Sequence, residues 1–471
     1  VLNVNVIELL KVIWNTIFPN GLSREVILYL SSAVLQAYAA LIAIPFAIAV
    51  IHLQSKYGYI STQILFKRLN LVLKVFTIIA IVSVLSMILS LNDKYLPYIL
   101  FAEVITALAP LKYLIKHVRD VFSLKPTDIL HDLGYPERPA ELLKQGKVFE
   151  AWNVISQGFE LARACSLDPV LHSQANVVIW EIAGALHRID WNSDVREEKH
   201  TGSLDLSGIL FNVVWNMPTH IVEPVVRSQF KPNPIQIEIL VREIANGFME
   251  KPTGTFDNFL EHVYKLVTAY YEVDTDRAWE IFHSILLVST NYLKSCEEEK
   301  AKTIIERILP IEVCYGLQIC DYAYKHVEGL PQVTDFGERE IKIYGWFLRI
   351  LDILKDYPSV LFHILCLEKL EDILEKFARK NIPPLQILLI LALCNQEKAK
   401  LPEYMDKIAE SVLEGLTNKV LKILKENKWR PSFDGNSLKI FYEDEEFASM
   451  EIDEKQSKLV EEYLYSLNIV L

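Results

Sequence analysis

The chain contains no recognisable metal or nucleotide signature. No two of its six cysteines, at 165, 296, 314, 320, 366 and 394, are spaced Cys-x-x-Cys, and its 11 histidines include no His-Glu-x-x-His pair. No glycine-rich loop runs from a strand into a helix, which excludes a dinucleotide or P-loop fingerprint. The tripeptide Asp335-Phe336-Gly337 copies the magnesium element of protein kinases. It lacks the phosphate loop, strand lysine and catalytic loop that give that element meaning, so it reads as coincidence in a loop between helices. No catalytic, cofactor or metal-binding residue is assigned, and an enzyme is not expected.

Basic residues are in deficit: 48 Lys and Arg stand against 60 Asp and Glu, a formal charge of −12. The deficit is uneven. Residues 1–125 hold 11 basic and 5 acidic side chains, so their +6 leaves −18 on the remainder. An acidic majority lacks the basic footprint nucleic acid requires. A positive first quarter suits anionic lipid headgroups. The cysteines all fall in the acidic part among apolar neighbours, where a free thiol behaves as a small hydrophobe. Reduced thiols are the expectation there.

Three long apolar runs fill the first quarter, at 26–53, 71–91 and 95–115. A helix crossing the hydrocarbon core needs roughly 20 mostly apolar residues. Only helices and closed barrels satisfy their backbone polar groups in lipid, and runs without alternation are helices. The expectation is a transmembrane region over 24–125 with three such helices, preceded by an interfacial helix over 1–23. Lys56, Lys67 and Arg68 lie between the first two runs, and Lys112, Lys116, Arg119 and Lys125 follow the third. Basic loops stay cytoplasmic. The N-terminus is then outside, and residues 126–471 form a cytoplasmic domain on a multi-pass membrane protein.

Residues 124–139 hold three prolines and lose helical periodicity, which marks the boundary. Beyond them the helical pattern is nearly unbroken. Helices are predicted over 140–166, 169–189, 204–216, 233–250, 256–272, 275–295, 298–326, 338–355, 358–379, 384–396, 402–427 and 454–468. Start signals such as Asp168-Pro169, Asp274, Pro358 and Pro402 support several of them. Short links imply antiparallel neighbours, as in bundles and helical solenoids. Gly146 to Ala151 has the Gly-to-Ala spacing of a tetratricopeptide second helix, but no regular 34-residue period follows. Only 437–442 looks like a strand, and one strand builds no sheet. The polar loop 190–203, with Trp191 and His200, is a candidate partner loop or a plain solvated one. The fold class is all-α, three transmembrane helices followed by a bundle-like or solenoid-like domain.

Glu103 is the sharpest single residue. It lies near the middle of the third run, where an ionised carboxylate costs at least ~2.5 kcal/mol. Thr106 and Pro110 share its helical face, and Gln36 and Tyr38 of the first run or Ser83 and Ser86 of the second are candidate partners. Glu103 either lines a cation or proton pathway in a homo-oligomer or packs as a protonated acid between helices. In the first run Ala39, Ala43 and Ala47 recur at four-residue spacing, a face that lets backbones approach closely within or between subunits.

Residues 31–129 carry a recognisable order of features. An apolar helix opens with Ser31-Ser32 and ends in His52-Leu53-Gln54. Ser55-Lys56-Tyr57-Gly58-Tyr59 and Lys67-Arg68 follow. A hairpin with a minimal outer turn and Leu114-Ile115-Lys116-His117-Val118 complete it. This stretch, about a fifth of the chain, resembles a prokaryotic family of predicted membrane proteins of unassigned function. Ser61-Thr62 stand where that family has Pro-Arg. The resemblance implies a membrane protein and no functional residues. Two functions remain open from the sequence: a membrane-anchored helical scaffold or sensor with a cytoplasmic protein partner, and an oligomeric cation channel with Glu103 on its pathway.

Overall fold

The computed structural model describes residues 24–57, 60–89, 124–199, 202–227, 231–328, 336–362, 364–380, 382–398, 403–434 and 436–467, with a few isolated positions besides. It is mostly helical with few strands, in line with the all-α expectation. The chain divides into two compact units, residues 1–139 with 153–181, and residues 140–152 with 182–471. The expected interfacial helix over 1–23 and the third run, with Glu103, Thr106 and Pro110, lie outside the described residues.

In the first unit α1 (Arg24–Tyr57) and α2 (Ile60–Leu89) pack against one another. The second apolar run was expected to start its helix at 71, yet α2 begins eleven residues earlier and absorbs the basic segment read as a loop. The physical reason is simple. Residues 60–89 contain no proline and no glycine, so nothing stops the helix where hydropathy falls. Among the described residues no helix is long and apolar enough to cross a membrane. The three spans expected from the sequence are therefore not supported by the described helices. α3 (Pro126–Leu133) follows, with Pro126 at its start and Gly134 at φ 82° closing it in the left-handed conformation. The Tyr135 phenol donates to the Val154 carbonyl at 2.8 Å and ties this turn to the next long helix.

α4 (Arg138–Lys144) and α5 (Val148–Leu167) were expected as one helix. Gly146, at φ 74°, divides them. α6 (His172–His187), α7 (Leu206–Met217) and α8 (Glu223–Arg227) lead into the main stack of the second unit. There α9 (Pro234–Glu250) packs on α11 (Thr275–Leu293), and α10 (Phe256–Tyr271) packs on α11 and on α13 (Leu309–Glu328). α12 (Glu298–Arg307) precedes α13, and a break at Ile308 separates them where one helix was expected. Pro310 explains the break: it has no amide to donate and belongs in a first turn. α13 packs in turn on α14 (Phe336–Asp356) and α15 (Ile364–Arg379). α14 starts at Phe336, so Phe336 and Gly337 open a helix where a loop was expected. α16 (Leu385–Lys398), α17 (Glu403–Glu426) and α18 (Glu454–Ser466) close the stack.

Aromatic side chains fill the seams. Phe248, Phe256 and Phe259 form a fully buried triplet. Trp279 of α11 stacks on Trp346 of α14 at 4.9 Å between ring centroids, with an interplanar angle of 7°. Gly316 of α13 sits where no side chain fits. A Cβ there would lie 2.8 Å from Phe282 Cε1 and 2.8 Å from Ile350 Cδ1.

Two small sheets were missed by the sequence reading. The polar loop 190–203 contains β1 (Arg196–Lys199), paired antiparallel with β2 (Gly202–Asp205). Trp191, read as part of an exposed loop that is either a partner loop or a plain solvated one, is buried against Gly247 of α9. The strand read at 437–442 is β4 (Ser437–Tyr442), but it is not alone. It is the middle of a three-stranded antiparallel sheet between β3 (Trp429–Asp434) and β5 (Glu445–Glu451). β3 hides behind Pro431, tolerated on an edge strand, and β5 behind its acidic residues.

Candidate functional site

In the α1–α2 pair the usual distribution of side chains is reversed. Ser31 and Tyr38 of α1 are buried, as are Ile79, Ser83 and Ser86 of α2. The α2 positions follow i, i+4, i+7 spacing, which places them on one face. Val26, Ile44, Ile48 and Ile51 of α1 are exposed, with Ile78, Ile81, Val84, Leu85, Ile88 and Leu89 of α2. At roughly 1 kcal/mol for each half-exposed aliphatic side chain, leaving this surface in water costs on the order of 10 kcal/mol. The hydroxyl-bearing seam repays little of that, since a buried hydroxyl gains only about 1 kcal/mol from its hydrogen bond.

The site residues expected in this region separate. Tyr38 faces inward, as do Ser83 and Ser86, while Gln36 is exposed. Two residues apart on a helix means about 200° around it, so Gln36 and Tyr38 lie on opposite faces of α1. Ala39, Ala43 and Ala47 are exposed as well. They lie outside the buried seam of the α1–α2 pair.

The second unit holds buried ionisable groups that the sequence reading did not single out. Glu312 of α13 is fully buried and hydrogen-bonded to Ser289 of α11 through Oε1. Its Oε2 has no partner among the described residues. Burial pushes its carboxyl up to about 8, against a smaller lowering by Ser289. The Ser289 hydroxyl stands within reach of two acceptors, Glu312 Oε1 and the Ile285 carbonyl at 3.1 Å. About two and a half turns further along α13, Asp321 binds Lys376 of α15 and Lys325 at 2.7 Å. Desolvation of Asp321 is outweighed by these two ammonium groups, which hold its carboxyl below the ordinary range. Lys376 also lies 5.2 Å from the Tyr324 ring centroid.

A third cluster reaches the surface. Nδ1 of His187 lies 3.1 Å from Oε2 of the buried Glu243, and the Asn246 amide donates to the same oxygen at 3.1 Å. The carboxylate fixes which imidazole nitrogen faces water. No nucleophile joins the pair, so it falls short of a hydrolytic triad. A fourth group is satisfied internally: Lys300 donates to Asn192 at 2.8 Å and Glu250 at 3.0 Å, and Tyr292 donates to Glu250 at 2.7 Å. Among the described residues no group of three or more His, Cys, Asp or Glu could hold a metal. Cys165, Cys320 and Cys394 are free and buried and Cys296 is free, but Cys314 is disulfide-bonded, against the expectation of reduced thiols throughout.

Glu312 and Asp321 were legible in principle. Each is an acid inside an otherwise apolar helical pattern, in Leu309-Pro310-Ile311-Glu312-Val313-Cys314 and Ile319-Cys320-Asp321-Tyr322. The His187–Glu243 pair, 56 positions apart, left no local signal. No family model, no curated protein and no solved structure matches the chain.

Proposed function

We propose that the chain is an integral membrane protein in which the α1–α2 hairpin and the third apolar run embed in the bilayer and carry a large helical domain acting as a scaffold or sensor. The reversed hairpin carries this reading: serines and a tyrosine turned inward and isoleucines outward match lipid and mismatch water. The helical stack supports the second half, because antiparallel helices in series present extended faces to protein partners. The reading assigns no catalysis to the domain. Extraction of membranes at alkaline pH tests the anchor. The chain is expected to stay with the lipid pellet, and release into the supernatant would end the proposal.

The side on which the domain lies follows from Lys56, Lys67 and Arg68 and places it in the cytoplasm. The disulfide at Cys314 pulls the other way, since such bonds persist in oxidising compartments. Protease added to sealed right-side-out and inverted vesicles decides between them: digestion in inverted vesicles alone is expected.

A second reading has one observation in its favour. Gln36, Ala39, Ala43 and Ala47 leave a small and polar surface on α1 uncovered, which suits a homo-oligomer and, inside it, a cation pathway at Glu103. Liposome flux that is lost in Glu103→Gln supports that pathway, and flux that is absent or unchanged removes it.

A further inference from the structure

A hollow of about 330 Å³ opens where the turn ahead of α10 meets the junction of α12 and α13. Phe256, Ile308, Pro310 and Ile311 give it an apolar lining, and Phe256 and Ile308 are almost fully buried. Asp257, Glu306 and Arg307 line the same hollow with charge. Among the described residues Arg307 makes no ion pair, Asp257 makes none, and Glu306 has only Lys302 at 3.8 Å. An exposed guanidinium and carboxylate that can reach one another gain up to about 1 kcal/mol by closing. Here two carboxylates share a cavity with an arginine and neither closes on it. The place of Arg307 in the last turn of α12 favours a cation there through the helix dipole. That accounts for its charge but not for the gap. Asp257 accepts a hydrogen bond from Tyr315, whose phenol is pushed up by burial first and then by the Asp257 charge.

We propose that this hollow binds a small zwitterion, a free α-amino acid with an apolar side chain. The Arg307 fork takes the carboxylate by paired N–H donors, Asp257 takes the ammonium, and the Phe256, Ile308 and Ile311 surface takes the side chain. The break at Pro310 makes the hollow available, because a continuous helix through 308 would not turn its ends toward it. This site goes beyond the scaffold reading and does not rest on the membrane anchor.

Isothermal titration of the whole chain in detergent micelles tests it, with L-leucine and L-phenylalanine as probes and leucinamide and N-acetyl-leucine as their singly charged relatives. Saturable binding of at least one amino acid is expected, weaker by roughly tenfold or more for each relative. Arg307→Ala and Asp257→Asn, both at exposed positions, are expected to weaken it by roughly tenfold or more at unchanged circular dichroism. N-acetyl-leucine binding as well as leucine would mean a plain anion site and overturn the proposal. Undiminished binding to Arg307→Ala, or no heat from either amino acid at millimolar concentration, would do the same.

Discussion

Among the described residues of the α1–α2 pair, Ser31, Tyr38, Ser83 and Ser86 face inward beside Ile79, while Ile44, Ile48, Ile78 and Ile81 face outward; in the stack from α9 to α18, Phe248, Trp279 and Leu388 face inward and lysines and glutamates face outward. Both regions are built from ordinary helix formers, so local propensity does not distinguish them. What differs is which face is satisfied by the surroundings. Under the membrane embedding proposed above, an apolar phase makes a hydroxyl seam the best available interior, because the outer face has nothing to gain from hiding. Water makes apolar burial the driving term and admits a buried charge only with its partner. Asp321 with Lys376 and Glu312 with Ser289 are the two ways the stack meets that condition, one by pairing and one by staying neutral.

The contrast breaks most easily on the outer face of the hairpin. Ile48→Asp with Ile81→Asp places two carboxylates where the membrane reading puts hydrocarbon, at about 2.5–3.5 kcal/mol each. The expected outcome is loss of the chain from the membrane fraction. A variant that instead stays folded and becomes easier to keep in detergent-free buffer would show that this face meets water, and the two regions would differ in nothing but composition.

The next effect belongs to the stack. Asp321→Asn leaves Lys376 buried without its counter-charge and is expected to cost about 3 kcal/mol in urea unfolding, the lower end of the usual range because Lys325 admits water at one side. Asp321→Leu combined with Lys376→Met removes both charges and should unfold within about 1 kcal/mol of the parent. If the double variant is as damaged as the single, the pair contributes stability of its own and the stack tolerates charge better than argued.

The smallest effect is a slope. Glu312 has its carboxyl raised to about 8 in the folded chain, so the folded state holds a proton that the unfolded state releases near pH 4. Stability from this group is complete below the ordinary carboxyl range and is lost as pH rises toward 8, at up to about 1.4 kcal/mol per pH unit. Glu312→Gln should flatten the fall in thermal midpoint between pH 6 and 8. An unchanged slope in the Gln variant would place the titration elsewhere.

Most of the helical layout could be read from the sequence because its punctuation is local. Asn233 before Pro234, and Asp274 before Thr275, cap their helices through bonds to Ile235 and Arg277 at 3.0 Å each. The breaks at Gly146 and Ile308 were overlooked, although Gly146 and Pro310 announce them. β3 and β5 were not legible because what makes them strands is the pairing with β4, and a single strand pattern does not reveal its neighbours. Hydropathy found the apolar first quarter but misplaced the start of α2, since it reports where a helix is greasy and not where it begins. The buried acids escaped because a search for clustered motifs passes over a lone carboxyl in an apolar helix.

The contact at Gly316 has a mechanical consequence. Six and five residues before it, Pro310 and Ile311 line the hollow at the head of α13. At Gly316 itself the side chains of Phe282 of α11 and Ile350 of α14 close directly on the backbone of α13, which offers no side chain of its own. Side chains are the compliant part of a helix interface, able to change rotamer and absorb a shift. With none on α13 here, a displacement of that helix is taken up by the Phe282 ring and the Ile350 chain alone. Gly316 thus acts less as a gap than as a bearing, which couples α13 to two other helices through one side chain each.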